Sequence, residues 1–238
     1  MAEESDSVSE KRAAHVQVSY RQSVEKFKTN QNYEASWKLA LACFEWAEFA
    51  NKDSDRASLA QEGIDAARNA IRLNPKGGEG YHYLAINLGQ LARTRKLSAL
   101  KLVEEMEENF LKAIELQPKL DYAGPHRSLG LLYRDAPGWP VSVGNKGKAR
   151  VHLQTAVELC PEFPENQLSL LETHLKAGDF KSATTAMPSV EKCLNNASKQ
   201  FAGPEWELSW QDWRARWDKL KEKLASGPKN LRSPKQRA

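Results

Sequence analysis

The feature that most constrains this chain is a pattern of residue types that returns along the sequence. Each full copy has a large residue, a leucine, a small residue and an aromatic or apolar residue, then an alanine or methionine, a bulky apolar residue, an alanine and a proline. The copies are His126, Leu129, Gly130 and Tyr133 with Ala149, Leu153, Ala156 and Pro161; Tyr81, Leu84, Ala85 and Leu88 with Met106, Phe110, Ala113 and Pro118; and a second half at Gly63, Ala67, Ala70 and Pro75. Small residues let two helices approach closely, large residues fill the gaps, and proline stops the second helix. The pattern therefore predicts stacked helix pairs.

These slots resemble those of the tetratricopeptide repeat. The resemblance implies an all-α fold, a tetratricopeptide-like right-handed α-solenoid of about four helix pairs with N- and C-terminal capping helices. Such a chain is expected to be a scaffold, because stacked repeats present an extended curved surface for binding. The repeat slots themselves say much less about what binds there.

The periodicity divides the chain into five segments. We expect residues 1–12 to be disordered and residues 13–32 to form an N-terminal helix that covers the first repeat. Tetratricopeptide-like repeats are predicted over 33–193. A C-terminal capping helix is predicted over 204–225, and a basic disordered tail over 226–238.

Proline and glycine mark the turns between the predicted helices. The segment 135–144 contains two prolines and two glycines, which exclude a helix there. Tyr133 and Ala149 are sixteen residues apart, whereas the standard repeat separates these two slots by about nine residues. We therefore predict an insertion in the third repeat. Pro188 is expected to break the second helix of the fourth repeat.

Charge argues against a nucleic-acid-binding body. The net charge is +4, from 35 basic and 31 acidic residues. The tail has four basic residues and no acidic residue, so it accounts for the whole excess: Lys229, Arg232, Lys235 and Arg237. We expect a solvated tail, with a contact to RNA or anionic lipid as the alternative. No apolar run approaches the ~20 residues of a membrane span, so none is expected.

Cysteine use and the N-terminus bear on location. Cys43, Cys160 and Cys193 are an odd number, far apart and without a CxxC motif. Cys43 and Cys160 lie within helical apolar patterns and are interpreted as core residues, which suits a reducing compartment. Residues 1–10 are polar and acidic, unlike a signal peptide. We expect a cytoplasmic protein, or a periplasmic one if a leader was removed.

A stripe of tryptophans follows the predicted repeats. Its members are spaced by 4, 3, 4, 3 and 4 residues: Trp206, Trp210, Trp213, Trp217, Leu220 and Leu224. This spacing predicts an amphipathic helix that covers the apolar end of the last repeat. The alternative is that part of the stripe forms a homo-oligomer or partner interface, because tryptophan is common at binding hot spots.

Motifs for chemistry are weak. The segment 144–149 lacks the four residues between glycines, the Ser or Thr, and the preceding strand of a phosphate loop. The histidines do not fall at a repeated metal-ligand spacing. No nucleophile with a base and an orienting group can be assembled. We therefore predict no catalytic residue, no metal and no cofactor.

The glutamates over 104–108 are interpreted as a solvated helix face, with docking of a basic partner as the alternative.

Residues 33–193 resemble a branch of the tetratricopeptide superfamily with lengthened turns. The stretch 37–42 (WKLALA), Asn74-Pro75 and the stretch 158–161 (ELCP) look like the regulator of microtubule dynamics family. The proline- and glycine-rich insertion is similar to that of the T component of tripartite ATP-independent periplasmic (TRAP) transporters. That component would imply a helical protein that binds a solute-binding protein and forms an oligomer. The organelle-targeting segment of the first family and the lipidated cysteine of the second are not seen in this sequence.

The resemblance also indicates where a partner would bind. On such scaffolds the surface uses positions of the first helix of each pair that lie between the packing slots. These positions are His82, Tyr83, Ile86, Arg127, Leu131, Arg134, Leu168 and Glu172. The alternative is that these residues pack against the terminal helices. The Lys, Asn and Arg set of chaperone-binding relatives is missing, so a cochaperone role is not expected.

We predict a non-enzymatic scaffold that binds another protein or a peptide. The alternative is a transport accessory protein that holds a small apolar ligand or binds a solute-binding protein. An uncharacterised enzyme is the third hypothesis.

Overall fold

A computed structural model describes residues 2–95 and 99–227 of the chain. The prediction of an all-α fold is confirmed, because ten α-helices and one 3₁₀ turn cover most of these residues. The helices are α1 (Ala2–Thr29), α2 (Tyr33–Ala47), α3 (Asp53–Leu73), α4 (Gly78–Arg93), α5 (Ala99–Leu116), α6 (Leu120–Asp135), α7 (Lys146–Leu159), α8 (Pro164–Lys176), α9 (Phe180–Gln200) and α10 (Glu207–Ala225), with the 3₁₀ turn at Pro204–Trp206. They fall into two compact units, an N-terminal unit of residues 1–145 and a C-terminal unit of residues 146–238.

Helix pairs form within each unit. In the N-terminal unit α2 packs on α3, α3 on α4 and α4 on α5. In the C-terminal unit α8 packs on α7 and α9. Helix α6 ends the first unit and α7 begins the second, so the predicted third pair is divided between the units.

Small residues bring α2, α3 and α4 close together, as the repeat pattern predicts. Ala40 and Ala67 are fully buried within one apolar cluster that includes Leu88 and Ile64, and Ala85 on α4 is also fully buried. Alanine at such positions has no side chain beyond Cβ, so the helix backbones can approach and the larger neighbours interdigitate. This close approach creates the environment of a buried asparagine.

Asn87 joins three helices in the N-terminal unit. Its side-chain nitrogen donates to the carbonyl of Ala40 on α2 and to that of Tyr83 on α4, each at 2.8 Å. Gly63 on α3 faces the same amide, and a Cβ added there would lie 2.2 Å from Asn87 Oδ1. The asparagine is completely buried. A glycine is therefore required at position 63 while the amide keeps its two hydrogen bonds.

The same device holds the C-terminal unit together. Asn166 on α8 is fully buried, and its side-chain nitrogen donates to the carbonyls of Ala156 (3.1 Å) and Cys160 (3.2 Å). Ala156 is itself fully buried on α7. In both units a buried amide thus binds backbone oxygen of a preceding helix.

Helix α6 begins with a left-handed turn that the sequence did not predict. Asp121, Tyr122 and Ala123 have φ values of 46°, 52° and 61°. Such conformations are unfavourable for residues other than glycine. The Arg127 guanidinium offsets part of this cost, since it donates to the carbonyl of Tyr122 at 3.2 Å and to the carboxylate of Asp121 at 3.0 Å.

An aromatic cluster forms the end of the C-terminal unit. Phe163, Phe201, Trp206 and Trp213 contact one another with ring centroids 4.8–6.2 Å apart. The three apolar residues of α10 that are buried are Trp213, Trp217 and Leu220. The tryptophan stripe therefore faces its own unit, as predicted for a helix that covers the last repeat.

Two predictions about helix ends are wrong. Residues 2–12 belong to α1 instead of being disordered, since that stretch contains no proline or glycine to interrupt the helix. Pro188 lies inside α9 and does not break it. Pro188 is exposed, while Ala183 and Val190 are buried on either side, so packing holds the helix despite the missing backbone donor.

The three cysteines are buried and form no disulfide. This placement confirms that Cys43 and Cys160 are core residues. The four basic residues of the tail lie outside the described residues, so the expected disorder and the alternative contacts of the tail stay predictions.

The contact between Gly63 and Asn87 can be tested by thermal or chemical unfolding. Gly63→Ala should lower the free energy of unfolding by about 1–3 kcal/mol, because the new methyl displaces an amide that holds two buried hydrogen bonds. In the double variant Gly63→Ala with Asn87→Ala, the loss in the free energy of unfolding should be smaller than the sum of the losses in the two single variants.

Gly89→Ala is the matched control. It is another glycine of the same helix bundle, and its Cβ would contact only the flexible end of Met106, at 3.0 Å from Cε. Alanine favours helix over glycine by up to ~1 kcal/mol, so this variant should keep or gain stability. Equal losses for Gly63→Ala and Gly89→Ala would contradict the proposed packing.

Candidate protein-interaction surface

The predicted partner-binding residues belong to two units. Six of them lie on α4 and α6 of the N-terminal unit, and Leu168 and Glu172 lie on α8 of the C-terminal unit. Each group is therefore described by itself.

On α4 the structure corrects the predicted placement of two residues. His82 is 2% exposed and Tyr83 is 6% exposed. Tyr83 stacks on Trp37 of α2 with ring centroids 5.6 Å apart, and His82 contacts the rings of Tyr83 and Phe110. The rings of His82 and Tyr83 thus lie in the interior, whereas Ile86 is half-buried against the same core.

His82 carries a polar atom in this apolar setting. Its Nδ1 is buried and has no hydrogen-bond partner among the described residues. Burial lowers the pKa of His82 to about 3, and the positive charge of Arg127 acts in the same direction. The imidazole is consequently neutral at physiological pH.

On α6 the predicted arginines are held by their own helix end. Arg127 has 12% of its side chain exposed and binds Asp121. Arg134 has 18% exposed and binds the carboxylate of Asp135 through Nε at 2.9 Å and Nη2 at 2.7 Å. Leu131, between them in sequence, is half-buried. Arg127 therefore binds the left-handed turn of its own helix. The seven-residue spacing between Arg127 and Arg134 in the sequence does not contain this information.

On α8 one predicted position is buried and the other is bound by α10. Leu168 is fully buried. Glu172 accepts hydrogen bonds from Arg216 of α10 at 2.8 Å and 3.2 Å. The alternative interpretation, that these residues pack against a terminal helix, describes Glu172. An open partner-binding surface at Leu168 is wrong for this structure.

Arg216 is the centre of an ion-pair network in the C-terminal unit. Beyond Glu172, it binds both carboxylate oxygens of Glu165 (2.8 Å and 2.7 Å) and one of Asp212 (3.1 Å). Trp213 Nε1 also donates to Glu165 at 3.0 Å. Burial opposes the charge of Arg216, but Glu165 and Glu172 together raise its pKa above the usual value. The network fixes α10 on α8 by charge as well as by apolar contact.

A carboxylate that sequence reasoning missed lies on α2. Glu45 is half-buried, and no hydrogen bond or ion pair joins it to another described residue. Burial raises the pKa of Glu45; Arg12 opposes this and Asp121 adds to it. The position was hidden in the sequence because no repeat slot was assigned to it.

Half-buried side chains on the first helices of the pairs remain accessible in the N-terminal unit. We call Trp37 and Glu45 on α2, Ile86 on α4 and Leu131 on α6 the helix-A surface. It combines three apolar side chains with one carboxylate. Such a mixture can bind a peptide through apolar contacts and a charge-assisted hydrogen bond.

Two clefts outside this surface are lined mainly by polar residues. One, of about 500 Å³, lies between α1 and α2 and includes Glu25, Asn32 and Lys38. The other, of about 590 Å³, lies in the C-terminal unit and includes Gln167 and His174.

The described residues also bear on metals and membranes. Over residues 2–95 and 99–227, no group of three or more His, Cys, Asp or Glu side chains could hold a metal ion. In the same ranges no helix has both the length and the apolar character to cross a bilayer.

Sequence comparison identifies the family. The model of regulator of microtubule dynamics protein 1-3 matches residues 1–131, more than half of the chain. The chain belongs to this family. The match ends within α6, so it covers most of the N-terminal unit.

A curated relative agrees with this assignment. Regulator of microtubule dynamics protein 3 of Rattus norvegicus is 26% identical over 173 residues, which are 71% of this chain. The chain spans about a third of that relative, since the match covers 35% of its length.

A solved structure supports the fold. A thermophilic tetratricopeptide protein of Thermus thermophilus, TTC0263, has a TM-score of 0.50 and 19% sequence identity. The likeness covers 87% of this chain and 99% of that one. The tetratricopeptide-like fold predicted from the repeat slots is therefore confirmed, while the resemblance to the TRAP transporter component stays a prediction.

The buried imidazole of His82 should make stability fall on mild acidification. Its folded pKa lies below the ordinary value of about 6.5, so the unfolded chain binds a proton first as the pH falls. Between pH 7 and pH 5 this residue should contribute a loss of about 2 kcal/mol. His82→Phe should reduce the loss by that amount, as measured by urea unfolding at both pH values. An unchanged difference between pH 7 and pH 5 would show that His82 is not held neutral.

The Arg216 network should stabilise the C-terminal unit. Arg216→Ala leaves Glu165 and Glu172 without their shared partner, so the free energy of unfolding should fall by roughly 3 kcal/mol. Arg214, exposed two positions away over the Trp210 ring, is the control: Arg214→Ala should change stability by less than about 1 kcal/mol. Calorimetry that gives equal losses for the two variants would contradict a specific role of Arg216.

Proposed function

We propose that this chain is a non-enzymatic protein-interaction scaffold that takes part in the regulation of microtubules. The observation that carries the proposal is the family match to residues 1–131, which covers most of the N-terminal unit and all of the helix-A surface. The family name indicates the microtubule as the partner, and the tetratricopeptide-like fold indicates that the chain acts by binding.

The state of the titratable groups supports binding instead of catalysis. Three tyrosines donate to glutamates as structural pairs: Tyr20 to Glu62 at 2.7 Å, Tyr33 to Glu79 at 2.6 Å, and Tyr133 to Glu107. In each pair burial and the glutamate raise the pKa of the tyrosine, so the hydroxyl stays protonated. These groups join helices and are not poised to transfer protons.

The cysteines are equally unsuited to act as nucleophiles. Burial raises the pKa of Cys43 far above its ordinary value, and burial with the charge of Glu162 raises that of Cys193 to about 11. The reactive form of cysteine is the thiolate, which is scarce under these conditions.

The helix-A surface is the proposed contact site for a protein or peptide. It keeps Ile86 and Leu131 from the residues predicted by sequence and adds Trp37 and Glu45. Tyr83 packs beneath it against Trp37, while Arg127 and Arg134 bind at the two ends of α6. The transport-accessory alternative is not favoured, because the family match is to the regulator of microtubule dynamics model. The cytoplasmic location expected from the sequence stays a proposal.

Microtubule binding by the full chain tests the proposal. The wild-type protein should co-sediment with stabilised microtubules or alter their growth rate in a purified assay. Ile86→Ser with Leu131→Ser should weaken this activity at least about tenfold, since truncating a hot-spot residue of a binding surface costs about 2 kcal/mol or more.

Leu73→Ser with Leu111→Ser is the matched control. These leucines are 40% and 44% exposed on α3 and α5, the second helices of their pairs. The control should bind as the wild type does. Equal weakening in both variants would move the contact away from the helix-A surface, and a wild-type protein without effect on microtubules would overturn the proposed function.

A further inference from the structure

The segment 136–145 between α6 and α7 presents the most exposed large apolar side chain among the described residues. Trp139 is 88% exposed, and Val141 beside it is 59% exposed. The other six tryptophans are buried or half-buried. A tryptophan has 150–250 Å² of surface, so leaving its ring in water forgoes several kcal/mol at roughly 25 cal/mol per Å². The packing of the N-terminal unit does not explain why this side chain is exposed. We call the segment 136–145 the Trp139 loop.

Backbone hydrogen bonds hold the Trp139 loop in one shape. The amide of Val141 donates to the carbonyl of Gly138 at 3.0 Å, and that of Gly144 donates to Pro137 at 2.8 Å. At its end the amide of Asn145 donates to the carbonyl of Tyr133 on α6 at 2.8 Å. The loop is therefore closed on itself and tied to the helix that precedes it.

Gly144 makes this closure possible. A Cβ at that position would lie 2.1 Å from the carbonyl oxygen of Ala136 and 2.6 Å from that of Pro137, both of them backbone atoms that cannot move aside. The prolines at 137 and 140 restrict the backbone further. A backbone held this way loses little conformational entropy on binding, which favours Trp139 as an anchor residue at an interface.

The chemistry of the loop indicates what it contacts. Residues 136–145 include no charged side chain. Of the residues on either side of the loop, Asp135 is paired with Arg134, and Lys146 begins α7. A loop without basic residues gains no attraction from anionic lipid, and a bilayer does not require a fixed ring orientation. A rigid, neutral, apolar loop instead fits an apolar pocket on a protein.

We propose that Trp139 is an anchor that inserts into an apolar pocket of the protein partner of this scaffold. The inference rests on the proposed function and therefore takes the microtubule as that partner. Val141 and Pro140 cover the rim of the pocket. Because the contact involves no charge, its contribution depends little on ionic strength, unlike a charge-steered contact.

The experiment uses the full chain and stabilised microtubules in a co-sedimentation assay at about 50 mM and 200 mM salt. Trp139→Ala should weaken binding at least about tenfold at both salt concentrations, and Trp139→Phe should lie between it and the wild type. Thermal unfolding should be unchanged, because the side chain is exposed. Val151→Ala is the matched control: this valine is 63% exposed on α7 and its truncation should leave binding within about twofold of wild type.

Each other outcome overturns a stated part of the inference. If the wild type binds and Trp139→Ala binds equally, the anchor is wrong and the proposed function stands. If the wild type does not bind, the proposed function fails together with the choice of microtubules as partner. If Trp139→Ala instead abolishes flotation with vesicles of phosphatidylcholine and phosphatidylserine, or self-association in analytical ultracentrifugation, the partner is a membrane or a second copy and the protein pocket is wrong.

Discussion

A buried amide that binds the backbone of a neighbouring helix is the contact on which each unit depends. Asn87 can reach the carbonyl of Ala40 only because Gly63 and small neighbours let three helices approach closely. Asn166 makes the equivalent contact to Ala156 in the other unit. An unpaired buried amide would be costly, so these contacts specify how the helices meet as well as stabilising them. The surfaces available for binding follow from that arrangement.

Charge then decides which surface is closed. Arg216 satisfies Glu165 and Glu172 and so keeps α10 on α8, where a partner could otherwise bind. In the N-terminal unit the side chains of Trp37, Ile86 and Leu131, on the first helices of the pairs, are only half-buried. The two units thus differ in which first-helix side chains are accessible, although both are built from the same kind of helix pair. This difference supports placing the proposed contact site within the unit that the family model matches.

The Trp139 loop shows how an insertion can add a binding element without disturbing the repeat. Its hydrogen bonds are internal or made to the end of α6, and Gly144 permits the closure. The exposed ring therefore depends on local geometry and not on the stacking of helices. An insertion of this kind can change without a change in the packed core.

The sequence by itself determined the helices, the close-packing slots and the apolar face of α10, because periodicity and small-residue spacing depend on neighbours along one chain. Gly63, Ala67 and Leu129 are buried as those slots require. Only the tertiary structure decided that His82 and Tyr83 are interior, that Arg127 supports a left-handed turn, and that Arg216 covers Glu172. Pro188 was misjudged for the same reason, since packing on both sides maintained α9. Pairings between residues more than 40 positions apart, such as Arg216 with Glu172, depend on where the fold brings the helices, and no local spacing contains that information.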